Sequence, residues 1–308
     1  MENTTSNRKI HFNTIQDLYD MLGVTAENCE KALEQGYKVY PKCNMGVIRI
    51  ITEPNELLNN IQKNLLIYLQ ENYKCPSYCM AGFKGQNNIK NAMRHRHKRE
   101  VITTDISHYF SNTKEKYVRK FFEKDFGATG EVLELLVKLT TYKGYLPTGA
   151  PTSTILAGLV HQEIFETIYN KVCECSGDMT IYVDDITIST NGHIGNWIIK
   201  YIQNVLKTHG LFIKKSKTKR YGYKYAVVTG VHISQSGKLS APFTIGHSVI
   251  SSLKTKDLTE MTETELKNII AKISYIQQFT KDVLNITKIR AIKQLKKISS
   301  NKQGEKNV

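Results

Sequence analysis

Two adjacent carboxylates, Asp184 and Asp185, interrupt the apolar, β-branched stretch Met-Thr-Ile-Tyr-Val-Asp-Asp-Ile-Thr-Ile-Ser at 179–189. Residues 179–183 and 186–190 each read as a short strand. Neighbouring side chains on a strand face opposite ways, so the two acids share a site only at a turn, a geometry that Asp tolerates. Carboxylates placed that close repel unless a cation lies between them. Mg2+ is the natural choice, because it takes oxygen ligands and leaves positions free for substrate phosphates. An isolated Asp-Asp is ordinarily only a hydrophilic turn; a metal-dependent phosphoryl-transfer site needs another acid from a separate strand. Asp105 meets that need at the end of the apolar run Val101-Ile-Thr-Thr-Asp105. A strand-terminal acid plus two hairpin acids could hold two Mg2+ ions about 3.5–4 Å apart. One would activate an attacking hydroxyl, and the other would bind a triphosphate and steady the leaving pyrophosphate.

The elements that must position these acids are legible in outline. Residues 1–35 read as helical, with Ile15, Leu18, Tyr19 and Leu22 at helical spacing. Residues 37–53 read as two strands joined through Asn44-Met45-Gly46, and after Pro54-Asn55 a helix spans 56–71. A loop at 82–86 precedes a short basic helix at 88–98. Helices are expected at 114–124 and 131–141. The stiff turn Leu146-Pro-Thr-Gly-Ala-Pro-Thr-Ser153 leads into a helix reaching about 173, with Thr152 or Ser153 as its cap. A helix at 194–209 and strands near 211–214 and 224–233 follow the acidic hairpin, and from about 242 the chain reads as a separate helical module. There are no internal repeats.

At 308 residues, 40% of them hydrophobic, the chain can bury a substantial core near the length where cores divide. No apolar run approaches the ~18–20 residues of a membrane span. The first residues carry no apolar signal segment, which points to the cytoplasm and no membrane partner. A formal charge of +15 implies a polyanionic partner, bound in a salt-dependent way. Segment 281–308 alone is net +6. Six cysteines include Cys75-x3-Cys79 and Cys173-x-Cys175, without partners at zinc-finger spacing, so they read as buried or free thiols.

The order Asp105-Ile-Ser-His-Tyr-Phe110, Leu146-Pro-Thr-Gly-Ala-Pro-Thr-Ser153, Tyr182-Val-Asp-Asp185 resembles the palm of reverse transcriptases. Asn91-Ala-Met-Arg-His95 and Val228-Thr-Gly230 resemble the Asn-Ala-x-x-His and Val-Thr-Gly signatures of the bacterial retron enzymes, which have a group II intron-like palm. The resemblance covers roughly 45–235 and implies an α+β right-hand polymerase. Its N-terminal helical region and fingers would fall in 1–100, its palm (antiparallel sheet plus helices) in 101–235 and its helical thumb in 236–308.

Carried over by residue, the resemblance makes Asp105, Asp184 and Asp185 the catalytic metal ligands, joined by the Ile106 backbone carbonyl. Phe110 would crowd a ribose 2′-OH and favour deoxynucleotides, and Gly149 would let backbone approach the incoming nucleotide without a Cβ. Thr148 and Thr154 stand where relatives commonly carry Gln and Pro, so a nucleotide contact by Thr148 is in doubt. Arg49 and Lys84 are candidates to grip the triphosphate. Lys217, with Lys214 and Lys215 as competitors, would stabilise developing charge or donate a proton. RNA contact is expected from Asn91, Arg94, His95, Val228, Thr229 and Gly230, and from Arg290, Lys293 and Lys297 along a helical face.

The expected activity is RNA-directed DNA synthesis from deoxynucleoside triphosphates on a structured noncoding RNA of msr–msd type. Priming from an RNA 2′-OH would give branched RNA–DNA (msDNA). The resemblance further implies anti-phage defence with an associated effector protein. Other bacterial reverse transcriptases (diversity-generating, abortive-infection or group II intron type) keep the chemistry and change the biology. A noncatalytic RNA-binding scaffold is the alternative of a different class, disfavoured because all three acids are intact.

Overall fold

The computed structural model of the chain describes residues 12, 14–44 and 47–304. The Met45-Gly46 link, residues 1–11, Asn13 and the last four residues lie outside the described residues, so the expectations for them are untested. The N-terminal part runs α1 (Ile15–Leu22), α2 (Ala26–Gln35), β1 (Tyr37–Asn44), β2 (Val47–Pro54), α3 (Glu56–Asn72) and α4 (Asn88–Arg94). Next come β3 (Glu100–Ser107), α5 (Tyr109–Asn112), α6 (Glu115–Lys124), α7 (Gly130–Thr140), α8 (Ser153–Val160) and α9 (Gln162–Glu174). The acidic hairpin is β4 (Gly177–Tyr182) and β5 (Asp185–Thr190), followed by α10 (Trp197–Lys207), β6 (Phe212–Ile213), a 3-10 turn (Lys215–Lys217) and β7 (Lys219–Tyr221). The chain ends with β8 (Tyr225–Val228), β9 (Val231–Ser234), β10 (Leu239–Ser240), α11 (Phe243–Thr255), α12 (Glu263–Gln277) and α13 (Asn285–Gly304).

Two compact units emerge. One holds the residues through Asn91 and from Lys98 to Tyr221; the other holds Ala92–His97 and the chain from Gly222 onward. In the first, a five-stranded antiparallel sheet runs β4-β5-β3-β6, with β7 also pairing β3. Strand β3 is central because Val101, Ile102 and Ile106 are all buried and both of its edges are hydrogen-bonded. One core, from Leu18 on α1 to Ile213 on β6, packs helices against this sheet. Caps set the helix starts locally: Thr14 and Asp17 form a capping box on α1, and Asn55 accepts from the Leu58 N–H at the start of α3. In the second unit β8, β9 and β10 form a meander. Helices α11–α13 share a separate core of Val249, Met261, Leu266, Ile269, Ile273 and Ala291.

Three expectations change. The helix expected from 153 to 173 is two helices, broken at His161, whose backbone (φ −109°, ψ 11°) leaves the helical region. The buried His161 ring sits 3.0 Å from both Thr113 Oγ1 and His209 Nδ1, and burial, then His209, pushes its pKa down to about 3. Neither Thr152 nor Ser153 caps α8: the Ser153 hydroxyl donates to the Pro147 carbonyl instead, at 2.7 Å. The basic helix at 88–98 ends at Arg94, and His97 has φ +58°.

Across the start of β3, Glu100 accepts from Arg220 on β7 and from the Ile194 N–H at 2.9 Å. Burial opposes its charge, but the Ile194 N–H, Arg220 and His193 together hold the carboxyl below its ordinary value. Glu100→Ala leaves the Ile194 N–H without its acceptor and takes the carboxylate from Arg220, which keeps the Ile194 carbonyl and Asn196 Oδ1. It is expected to cost about 1.5–3 kcal/mol in a urea unfolding titration, whereas a neutral outcome would remove this clamp from the account.

Candidate active site

The register of β3 against β5 decides the site. Asp105 lies directly opposite Asp185, the first residue of β5, and Tyr182 also pairs Asp185. The turn is therefore Val183-Asp184, one residue earlier than an Asp-Asp tip would place it. Val183 takes the first turn position with φ +58°, a left-handed conformation costly for a β-branched residue. Such strain, about 1–3 kcal/mol, persists only when neighbours enforce it. Here the Ile106 N–H donates to the Asp184 carbonyl at 2.8 Å, and Val183 packs on the core edge.

One carboxylate oxygen from each of Asp105, Asp184 and Asp185 can be chosen so that all lie within 4.8 Å of one another. Asp105 is 6% exposed, and the other two are half-buried. Burial, then the Asp105 charge, raises Asp184 above its ordinary value. Burial, then Asp184 and Asp105, raises Asp185 to about 6, against the pull of Lys217 and Arg49. Oxygen donors converging from three carboxylates, two of them with raised pKa values, form a set that suits a hard divalent cation, so these residues fit such an ion.

A cation of the protein's own already touches the cluster. Lys217 Nζ lies 3.0 Å from each Asp105 oxygen. Its place follows from the 3-10 turn between β6 and β7, both paired to β3. The Lys214 N–H donates to the Asp105 carbonyl at 2.7 Å, the Lys217 N–H to the Lys214 carbonyl at 2.8 Å, and the Thr218 and Thr104 hydroxyls bond at 2.8 Å. Of the three competing lysines, Lys217 is the one whose side chain bonds Asp105, while Lys214 contributes backbone. Sequence reasoning missed Thr218 and the Lys214 amide; β7 had no hydrophobic signal to mark it.

Gly149 has φ +117°, and a Cβ there would meet Ile51 Cγ2 at 3.0 Å and the Thr52 carbonyl oxygen at 3.3 Å. The Thr52 N–H donates to the Thr148 carbonyl at 2.7 Å. The missing Cβ thus admits strand β2, an account independent of any nucleotide. Arg49 is exposed on β2, near enough to affect Asp185, and Lys84 is exposed in its loop. Phe110, on α5, is half-buried beside Tyr109, with ring centroids 5.7 Å apart. Ile106 is buried in β3.

The expected RNA contacts divide. Asn91 is buried and accepts a hydrogen bond from the Thr180 hydroxyl on β4; His95 and Val228 are buried as well. Direct RNA contact by these three side chains does not agree with that burial. Thr229 and Gly230 have φ +46° and +81° and make the two-residue turn of the β8–β9 hairpin, so this tripeptide spells turn geometry. Arg94 is half-buried; Arg290, Lys293 and Lys297 are exposed on α13. Among the described residues no helix is long and apolar enough to cross a membrane.

A family model described as reverse transcriptase (RNA-dependent DNA polymerase) matches residues 40–233. The chain is 27% identical over 215 residues to the retron Se72 reverse transcriptase of Salmonella heidelberg, covering 67% of this chain and 56% of that protein. It is 24% identical over 246 residues to the retron Ec86 reverse transcriptase of Escherichia coli, covering 76% of each. The chain thus spans little more than half the length of the Se72 relative. Apo telomerase from Candida tropicalis superposes with a TM-score of 0.50 at 11% identity, covering 84% of this chain and 58% of that one. That likeness concerns the fold alone and agrees with the α+β right-hand polymerase class.

The raised acids set a pH dependence. Between about pH 4, where an unfolded Asp titrates, and about 6, the folded protein without metal holds protons that the unfolded chain has released. Stability from this group therefore falls as pH rises through that window. Without metal, thermal scans should show a midpoint lower at about pH 7 than at about pH 5, with the slope flattened in Asp185→Asn. Added Mg2+ should raise the midpoint more at the higher pH. An equal metal shift at both values would contradict the cluster as the binding site.

Proposed function

The chain belongs to the reverse transcriptase (RNA-dependent DNA polymerase) family, and we propose that it is a retron-type enzyme that copies a structured noncoding RNA into DNA. The observation that carries this reading is the Asp105–Asp184–Asp185 cluster with Lys217 upon it, inside the segment that the family model matches. The reaction joins a primer hydroxyl oxygen to the α-phosphorus of a deoxynucleoside triphosphate and breaks the α–β anhydride. Pyrophosphate leaves, and the hydroxyl proton is released. Divalent ions, two Mg2+ in this proposal, when held by the three acids would supply Lewis acidity for the attacking oxygen and the departing phosphate.

The protein's own groups do the rest. Asp105 and Asp185, opposite each other in the sheet, keep a fixed separation while charge moves. Lys217 pairs with Asp105 and is poised to neutralise or protonate the leaving pyrophosphate. Arg49 on β2 and Lys84 receive the triphosphate, Phe110 crowds a 2′-OH, and the Ile106 carbonyl adds an oxygen near Asp105. Fingers, palm and thumb are assigned to 1–100, 101–235 and 236–308, with Arg290, Lys293 and Lys297 facing the nucleic acid. Asn91 then acts by holding β4 rather than by touching RNA, which its burial supports.

The similarity to retron reverse transcriptases supports the finer reading. The template would be an msr–msd type RNA, primed from its own 2′-OH to give branched RNA–DNA, in the cytoplasm, with an effector protein and an anti-phage role. Primer extension on an RNA template with Mg2+ tests the chemistry. Asp184→Asn and Asp185→Asn should abolish incorporation. Lys217→Ala should lower kcat by about 10²-fold or more with KM little changed, and Lys217→Arg should recover part of it. Equal extension by wild type and the Asp variants would remove the catalytic reading. Recovery of branched RNA–DNA from cells carrying the gene with its flanking DNA tests the retron assignment.

A further inference from the structure

Beside the hairpin lies a pair of thiols that the polymerase reading leaves unused. Cys75 and Cys79 bracket a tight turn closed by the Cys79 N–H donating to the Pro76 carbonyl at 2.9 Å. Cys75 Sγ lies 3.5 Å from the Cys79 carbonyl oxygen and 3.6 Å from that of Pro76. Gln86 Nε2 donates to Cys75 Sγ at 3.7 Å, and Cys79 Sγ donates to the Ala81 carbonyl at 3.1 Å. Both side chains are partly exposed, so a small oxidant can reach them.

The pair is chemically asymmetric. The Cys79 thiol, then Gln86, stabilise negative charge on Cys75 and hold its pKa below the ordinary value despite burial; the same contact, then burial, pushes Cys79 up. Cys75 Sγ is the sulfur that accepts a hydrogen bond, from Gln86 Nε2, which suits it to attack as a thiolate. Cys79, whose thiol donates to the Ala81 carbonyl at the other end of the same turn, is placed to resolve.

The turn is also tied to the catalytic hairpin. Residues 78–80 run alongside β4: the Met80 N–H donates to the Ile181 carbonyl and the Ile181 N–H to the Tyr78 carbonyl, both at 2.8 Å. Ile181 lies on β4, three residues before Asp184 in the turn that follows. Cys79, Ile181, Val183 and Tyr109 line one apolar cavity, which the thiol turn and the strained hairpin tip thus share.

The geometry points to Cys75 and Cys79 as a dithiol modification site that a peroxide converts to an intrachain disulfide, altering the strap on β4. The Cys75 thiolate attacks one peroxide oxygen; the S–O bond forms, the O–O bond breaks, and the departing hydroxide takes a proton to become water. Cys79 sulfur then attacks Cys75 sulfur, the S–S bond forms, the S–O bond breaks, and the oxygen leaves as a second water with the remaining proton. The two thiols lose two electrons to the peroxide. Drawing the sulfurs to the ~2.05 Å of a disulfide takes Cys79 from the Ala81 carbonyl and moves the segment bonded to Ile181.

The site chemistry is independent of the proposed polymerase activity, so two readouts separate them. The full chain is treated with hydrogen peroxide, alkylated and mapped by peptide mass spectrometry. A Cys75–Cys79 crosslink reversed by dithiothreitol is expected. Cys79→Ser should trap a dimedone-reactive sulfenic acid at Cys75, and Cys75→Ser should leave Cys79 a slowly reacting thiol. Both cysteines recovered as free thiols in the wild type, or a sulfenic acid trapped on Cys79 instead, would overturn the site. In primer extension the oxidised wild type should slow several-fold and recover with dithiothreitol, while Cys75→Ser is indifferent to peroxide. A crosslinked enzyme extending at the reduced rate would overturn the link to β4. Absence of extension by the reduced enzyme would count against the polymerase reading while leaving the mapped disulfide in place.

Discussion

Placing three carboxylates within a few ångströms of one another in a half-buried site is the constraint to which much of the surrounding structure answers. Like charges directly opposite on neighbouring strands are destabilising, and here Asp105 faces Asp185 with Asp184 beside them. Loose strands would splay to relieve that repulsion. They cannot, because β3 is hydrogen-bonded along both edges, to β5 on one and to β6 and β7 on the other. Burial, and then this repulsion, raise the pKa values of Asp184 and Asp185, and Lys217 offsets part of the rise.

That second edge of β3 has a double role. β6 and β7 finish the sheet, and the 3-10 turn between them delivers the Lys214 amide to the Asp105 carbonyl and the Lys217 ammonium to its carboxylate. Structural support and electrostatic compensation thus come from ten residues of chain, 212–221. The Glu100–Arg220 pair anchors the far end of the same strands. On the opposite side of the sheet, β4 is held by Thr180 donating to Asn91 and by the strap at 78–80. Bracing from both sides is what a β-branched Val183 in a left-handed turn requires.

The glycine turn illustrates how one residue type admits two explanations. Gly149 reads from sequence as space for a substrate, yet the atoms that forbid a Cβ belong to Ile51 and Thr52 on β2. The Thr52–Thr148 backbone bond fixes this contact, so the β1–β2 hairpin that carries Arg49 is tied to the turn before α8. The β1–β2 hairpin and the turn before α8 are thereby parts of one hydrogen-bonded framework.

The chemistry was legible in the sequence because it depends on residue type and order. An apolar strand ending in Asp105, a Pro-Gly turn and an Asp-Asp pair between β-branched runs mark out the acids without coordinates, and the family resemblance they carry implies the α+β class. Local rules also served for α3, capped by Asn55, and for the β1–β2 pair. What sequence could not decide was set by contacts between distant segments. The turn moved to Val183-Asp184 because the register with β3 puts Asp185 in the strand. The long helix broke at His161 because its ring packs with Thr113 and His209, each 48 residues away. Lys217 was separated from Lys214 and Lys215 only by the pairing of β6 and β7 with β3. Asn91 passed from a candidate RNA contact to a buried brace for a similar reason. Residue identity determines which groups can ionise, bond or ligate; only the tertiary fold determines which of them meet, because partners far apart in the chain leave no local pattern to read.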